Sequence, residues 1–282
     1  MTRPRLHLVH GPTPLVKPER LAASLGLDLW VKRDDMTGGA EAGNKLRKLE
    51  FLLAEAKAQG ADVVITCGGI QSNHARATAL AAAALGVRAL LFLRTTGAVD
   101  APLPLGGNVL LDRMVGAEVR LITPAMYRER ARVMADAARE LEAKGARPYV
   151  IPEGGSNGLG ALGYVEAMAE VRAQLDVGAA LGAPFDAIVH ACGSGGTAAG
   201  VVLGAGLHRV AKRVYAMAVC DDAPTFEAVI ARVVAEAQAL EPSLDRAADL
   251  VVDDGAKGPA YAVSTPEQRR VMIDATRASG LV

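Results

Sequence analysis

Short apolar runs alternate with longer helical patterns along almost the whole chain, and this alternation limits the fold more than any other feature. Strands are expected at Leu29–Lys32, Val63–Cys67, Ala89–Leu93, Val119–Ile122, Tyr149–Ile151, Ala187–Ala191, Val214–Val219 and Leu250–Val252. Helical patterns lie between them at Lys45–Gln59, Asn73–Leu85, Pro124–Lys144, Leu159–Leu175, Thr197–Leu207, Thr225–Leu240 and Pro266–Ser279. Such an order belongs to α/β architecture, in which mostly parallel sheets are flanked by crossover helices. Two lobes divide the chain better than one continuous sheet. Residues 46–160 hold four strands and form a small lobe, and residues 1–45 with 161–282 form a discontinuous large lobe.

Composition narrows the function. Hydrophobic residues are 51% of the 282 and charged residues 22%, enough to bury a sizeable core. Lys plus Arg and Asp plus Glu are 31 each, so no global field favours nucleic acid or membrane, and a small-molecule partner fits better. The three cysteines, Cys67, Cys192 and Cys220, have no paired spacing and read as reduced core thiols of a cytoplasmic protein, with no metal site. Met1 to Leu15 has no apolar signal core, and the run Ala79 to Leu93 is broken too early by Gly86 and Arg88 to span a bilayer.

Within this frame Lys45 stands out. It follows a glycine-bearing stretch, Met36 to Gly43, and begins a helical pattern carried by Leu46, Leu49, Leu53 and Ala56. A helix N-terminus disfavours a cation and leaves more free amine, which a Schiff-base nucleophile requires. The bland alternative is a solvated surface lysine.

Three glycine-rich segments carry the remaining chemistry. Gly193-Ser194-Gly195-Gly196-Thr197 follows a strand and opens a helix, which makes a cradle for a phosphate from backbone amides and two hydroxyls. The spacing Gly193-x-Gly195-x-x-Ala198, with Asp221-Asp222 ending the next strand, also fits a loose dinucleotide fingerprint, so the segment alone leaves both readings open. Gly68-Gly69-Ile70-Gln71-Ser72-Asn73-His74 reads either as a capped helix start or as a carboxylate site on amides and the Ser72 hydroxyl. His74 alone reads as a partly buried polar residue. The third segment, Pro152-Glu153-Gly154-Gly155-Ser156-Asn157-Gly158-Leu159-Gly160, reads equally as a lobe linker.

One phosphate cradle, one carboxylate cradle and one activated lysine suit pyridoxal 5'-phosphate acting on an amino acid. Together, Gly43-Asn44-Lys45-x-Arg47-Lys48-Leu49-Glu50 and the segments at 68–74 and 193–197 resemble the D-cysteine desulfhydrase and 1-aminocyclopropane-1-carboxylate deaminase family. The resemblance runs from about Leu15 onward. It implies the two-lobe tryptophan-synthase-β-like fold (pyridoxal phosphate fold type II) and a cytoplasmic homodimer. Pro152 to Asn157 and Ala218 to Asp222 look like the desulfhydrase branch, which implies elimination from D-cysteine to pyruvate, ammonia and sulfide. Deamination of aminocyclopropane carboxylate and sulfite elimination from cysteate are the alternatives within the class, and a catalytically silent binding protein is the alternative outside it.

Carried over residue by residue, the resemblance makes Lys45 the lysine that holds the cofactor covalently. Asn73 faces the cofactor's 3-oxygen, and Lys48 with Gly193, Ser194, Gly195, Gly196 and Thr197 holds the phosphate. Ser72, Asn73 and His74 meet the substrate carboxylate, and Ser72 and Tyr261 lie beside the reacting centre. The family also continues past the point where this chain stops, at Ser279-Gly280-Leu281-Val282. The continuing segment supplies a second tyrosine and the group facing the pyridine nitrogen, so the resemblance implies a C-terminally truncated large lobe.

Overall fold

The computed structural model describes residues 3–100, 102–103 and 105–281. Its contacts divide the chain into two compact units. The first comprises Met1–Gly11 and Asp35–Gly163, and the second comprises Pro12–Asp34 and Tyr164–Val282. The segment 35–45, with Lys45 at its end, therefore packs in the same unit as the first sheet.

In the first unit, strands β3 (Val63–Gly69), β4 (Arg88–Arg94), β5 (Glu118–Ile122) and β6 (Pro148–Val150) form a parallel sheet in the order β5-β4-β3-β6. The helices of this unit are α2 (Asn44–Ala58), α3 (Asn73–Ala84), α4 (Gly107–Met114), α5 (Pro124–Arg128) and α6 (Arg130–Ala143). Val63, Ile65, Cys67, Leu90, Phe92 and Ile122 share one core with Tyr127, Met134 and Ala137. Burial pushes the Cys67 thiol up to about 12, so it stays protonated.

The second unit holds the short antiparallel pair β1 (Leu15–Val16) and β2 (Val31–Lys32), with α1 (Glu19–Leu25) between them. Its main sheet is β7 (Phe185–Cys192), β8 (Ala211–Ala218) and β9 (Asp249–Asp253), parallel and in that order. Helix α8 (Gly196–Leu207) is buried nearly all round, while α9 (Ala223–Leu240) and α10 (Pro266–Ser279) lie later in the chain. The division between units falls inside α7 (Gly158–Asp176). Val165 and Met168 of α7 meet α8 at Gly204, where an added Cβ would come within 2.9 Å of both.

The architecture agrees with the α/β expectation of parallel sheets flanked by helices. Three elements escaped the sequence pattern: β1, α1 and α4. Helix α1 has seven residues and buries only Ala22, too little periodicity to read. The helix expected over Pro124–Lys144 is two helices, because Glu129 leaves helical geometry at φ −96°, ψ 20°. Side chains on both sides of the break converge on Glu153: Tyr127 donates to Oε1, and Arg130 Nε lies 2.7 Å from Oε2. Arg94 and Arg130 also stack on the Tyr127 ring at 4.9 and 5.1 Å.

Candidate active site

Lys45 is the second residue of α2, whose N-cap, Gly43, offers no side-chain cap. It is half-buried, and α2 buries Leu46 through Leu53 behind it, so the helix start is held by core packing rather than by capping. Lys48, one turn on, is fully buried. Its Nζ donates to Gly154 O at 3.0 Å and to Ser156 Oγ at 3.4 Å, so the glycine-rich 152–160 segment closes over a buried ammonium and supplies its acceptors.

Strand β3 leads through a tight turn into α3, and Ser72 caps that helix by accepting from Ala75 N–H at 3.2 Å. The capped-helix reading therefore holds, and it places Ser72 and Asn73 at the positive end of a helix dipole. Asn73 is exposed, whereas His74 is turned inward and 3% exposed. The His74 Nε2 lies 2.9 Å from Thr66 Oγ1. The Thr66 hydroxyl donates to Ile151 O at 2.9 Å, so the histidine nitrogen is the donor in that pair. Burial, reinforced by the charges of Lys45 and Lys48, holds the imidazole well below its usual range. His74 is thus a neutral core residue that ties α3 to β3, and its backbone rather than its ring lies at the helix start.

Sequence reasoning missed the polar cluster that holds Asn73. Its Oδ1 accepts from Asn108 Nδ2 at 2.9 Å and from Arg76 Nη1 at 3.2 Å. Asn108 also donates from Nδ2 to Gln71 O at 2.8 Å and from its backbone to Gln71 Oε1 at 2.7 Å. Arg76 reaches Ala42 O at 2.5 Å, three residues before Lys45. An i,i+3 pairing of Asn73 with Arg76 is readable in a helix. The partner Asn108 lies 35 residues from Asn73, and no local pattern announces it.

The second unit carries the other candidate residues. Strand β7 ends at Cys192, and the chain turns through Gly193, Ser194 and Gly195 into α8, with Gly196 N–H donating to Ser194 O at 3.0 Å. Gly195 has φ +77° and a Cβ there would lie 2.8 Å from Val229, so only glycine fits the cap position. The cap position carries no side chain, and Ser194 and Thr197 place hydroxyls on either side of the α8 start, the kind of helix N-terminus that favours an anion. Tyr261 is 51% exposed, and its ring edge would lie 3.5 Å from a Cβ placed on Gly193. The aspartate pair after β8 has a local role, since Asp222 caps α9 by accepting from Thr225 N–H at 3.0 Å. That gives Asp222 a structural role that does not require a ribose.

The donors fit pyridoxal phosphate. Within the second unit, a cap position that only glycine can occupy and two hydroxyls at a helix start suit a phosphate dianion; within the first, a lysine in a first helical turn suits a carbonyl carbon. Among the described residues, no helix is long and apolar enough to cross a membrane.

Comparison with known proteins bears on the same chemistry. A family model described as pyridoxal-phosphate dependent enzyme matches residues 6–282. A bifunctional D-cysteine desulfhydrase/1-aminocyclopropane-1-carboxylate deaminase, mitochondrial, of Arabidopsis thaliana is 43% identical over 281 residues, covering 98% of this chain and 68% of that protein. A D-cysteine desulfhydrase of Yersinia pestis is 46% identical over 202 residues, covering 71% of this chain and 59% of the relative. The crystal structure of an ACC deaminase homologue superposes with a TM-score of 0.85 at 35% identity, covering all of this chain and 82% of the other.

Proposed function

The chain belongs to the pyridoxal-phosphate dependent enzymes, and from that premise we propose that it eliminates hydrogen sulfide from D-cysteine, with water, to give pyruvate and ammonia. The observation that carries this reading is the pairing, within one unit, of an amine in the first turn of α2 with a Ser72–Asn73 helix start, an amine site beside a carboxylate site. The segments Pro152 to Asn157 and Ala218 to Asp222 support D-cysteine over the ring-opening substrate, because they resemble the desulfhydrase branch.

Pyridoxal phosphate supplies an electron sink for the carbanion left when the α-proton departs. The protein's own groups do the rest. Lys45 would hold the cofactor through its Nζ, and its amine would be the base at the substrate's α-carbon. The Ser72 hydroxyl and the amides of the α3 first turn bind the substrate carboxylate, and the Asn73 amide meets the cofactor's ring oxygen. Gly193 to Thr197 would hold the phosphate. Tyr261, beside Gly193, is the candidate proton donor to the leaving thiolate.

The same reading includes a homodimer and a cytoplasmic location. An apolar sheet face in the second unit supports the first, and three free thiols support a reducing compartment. Paired product assays test the substrate. D-cysteine should yield sulfide and pyruvate in equal amounts, and aminocyclopropane carboxylate should yield 2-oxobutanoate at a lower kcat/KM. The reverse ranking makes the protein a deaminase first.

A further inference from the structure

Asn73 is useful to a ligand oxygen only if its amide presents NH2 rather than oxygen, and nothing in the side chain itself decides which. The neighbours decide. A guanidinium has donors and no acceptor, so any amide in contact with it must turn its oxygen toward it. Arg76 Nη1 lies 3.2 Å from Asn73 Oδ1 and 3.3 Å from Asn108 Oδ1, which fixes both amides. Asn108 Nδ2 then becomes the second donor to Asn73 Oδ1, at 2.9 Å. With its oxygen engaged twice, Asn73 has its NH2 left to meet a ligand, and among the described residues that NH2 has no partner.

The same guanidinium reaches the lysine-bearing loop, through Nη2 to Ala42 O at 2.5 Å. It also faces Asp112 of α4, which is 1% exposed and whose carboxylate oxygens have no hydrogen-bond partner. A carboxylate in that position requires a nearby cation, and burial that raises its pKa is opposed by the charge of Arg76. Arg76 thus feels the charge of Asp112 without a hydrogen bond to it, and delivers its donors to Asn73, Asn108 and Ala42.

We propose that Arg76 is a positioning residue that sets the polarity of the Asn73 amide and couples it to the loop that leads into α2 and Lys45. This rests on the reading of Asn73 as a cofactor contact. Asn108 completes the arrangement from α4, and Asp112 adds its charge nearby.

The test uses the protein purified with its cofactor. The dissociation constant for pyridoxal phosphate, the visible absorbance maximum and thermal unfolding are compared for wild type, Asn73→Ala, Arg76→Lys and the charge-balanced Arg76→Met/Asp112→Asn. Each Arg76 change is also made on the Asn73→Ala background. The charge-balanced variant should weaken cofactor binding by about tenfold, the worth of one or two hydrogen bonds, and shift the absorbance maximum as Asn73→Ala does. Arg76→Lys, which keeps a cationic donor, should recover binding to within about threefold of wild type. On the Asn73→Ala background the Arg76 changes should add less than about twofold. Arg76→Met alone carries the same comparison should the charge-balanced variant not fold. Equal losses with and without Asn73, or losses that follow unfolding temperature with no spectral shift, overturn the inference. A wild type that binds cofactor beside variants that bind equally well overturns this inference alone. A wild type that does not bind the cofactor overturns the active-site reading together with it.

Discussion

Two parallel sheets in one chain treat their faces differently. In the first unit β3 and β4 bury every residue from Val63 to Cys67 and from Ala89 to Leu93, as strands between two helical layers do. In the second unit the register lines up Val189, Tyr215 and Val251 on one face, with Val189 66% and Val251 37% exposed. The opposite face, with Ile188, Val214 and Leu250, packs against α7 and α8. The contrast bears on the proposed function because the unit with the covered sheet carries Lys45, Ser72 and Asn73, whose side chains must be held in place for the proposed amine chemistry. The unit with the open face carries the glycine loop proposed for the phosphate, which is built largely from backbone and depends on its own strand and helix.

The sharpest way to break this comparison is to truncate equivalent strand residues. Leu91→Ala, in the centre of the covered sheet, should cost about 2–5 kcal/mol of unfolding free energy, since it leaves a cavity lined on both faces. Comparable denaturation midpoints for Leu91→Ala and Val189→Ala would mean that the two sheets are packed alike. A second prediction concerns the loop. Thr197→Val should weaken pyridoxal phosphate binding by about 1.5–3 kcal/mol, the range for a hydrogen bond to a charged group, with the fold retained. Unchanged affinity in a less stable protein would make the loop structural.

The third prediction is a pH effect confined to the covered unit. Burial raises the Asp112 carboxyl from 3.8 to about 6, against the pull of Arg76. The folded state then holds a proton that the unfolded state has lost between about pH 4 and 6, so the stability contributed by this group falls as pH rises through that window. Relative to Asp112→Asn, the wild type should lose about 1–2 kcal/mol between pH 4 and 7, a figure reduced for solvent screening. A pH-independent difference between the two proteins would show that the carboxyl titrates normally. The smallest effect is expected on the open face, where Val189→Ala should change stability by no more than about 0.5 kcal/mol. Val189→Lys should reduce self-association in light scattering, because exposed apolar patches mark contact surfaces. Self-association that persists would place the contact elsewhere, with Val271 and Met272 of α10 next, at 64% and 61% exposed.

Much of this was legible in the sequence because it is local. The continuous apolar runs of β3 and β4 differ visibly from the alternation in Arg213-Val214-Tyr215-Ala216-Met217 of β8, and the two patterns correspond to two covered faces and one. Caps were equally local: Thr265 and Gln268 form the capping box at α10 that their spacing predicts. What stayed hidden depends on contacts distant in sequence. At the break beside Glu129, Tyr127 and Arg130 both meet Glu153, a partner far along the chain. The inward turn of His74 follows from Thr66 in a neighbouring strand, and the clamp on Asn73 follows from Asn108 in a helix with no side-chain cap. The glycine segments are local and readable; the side chains that contact Asn73 come from an element with no motif.

The central claim is that Lys45 is the amine that carries pyridoxal phosphate. Borohydride reduction of the purified protein, followed by proteolysis and mass mapping, tests it directly. The pyridoxyl group should be found on Lys45, and Lys45→Ala should abolish the label and lower sulfide release from D-cysteine by about 10³-fold or more. A label on Lys48 or another lysine, or full activity in Lys45→Ala, would contradict the account.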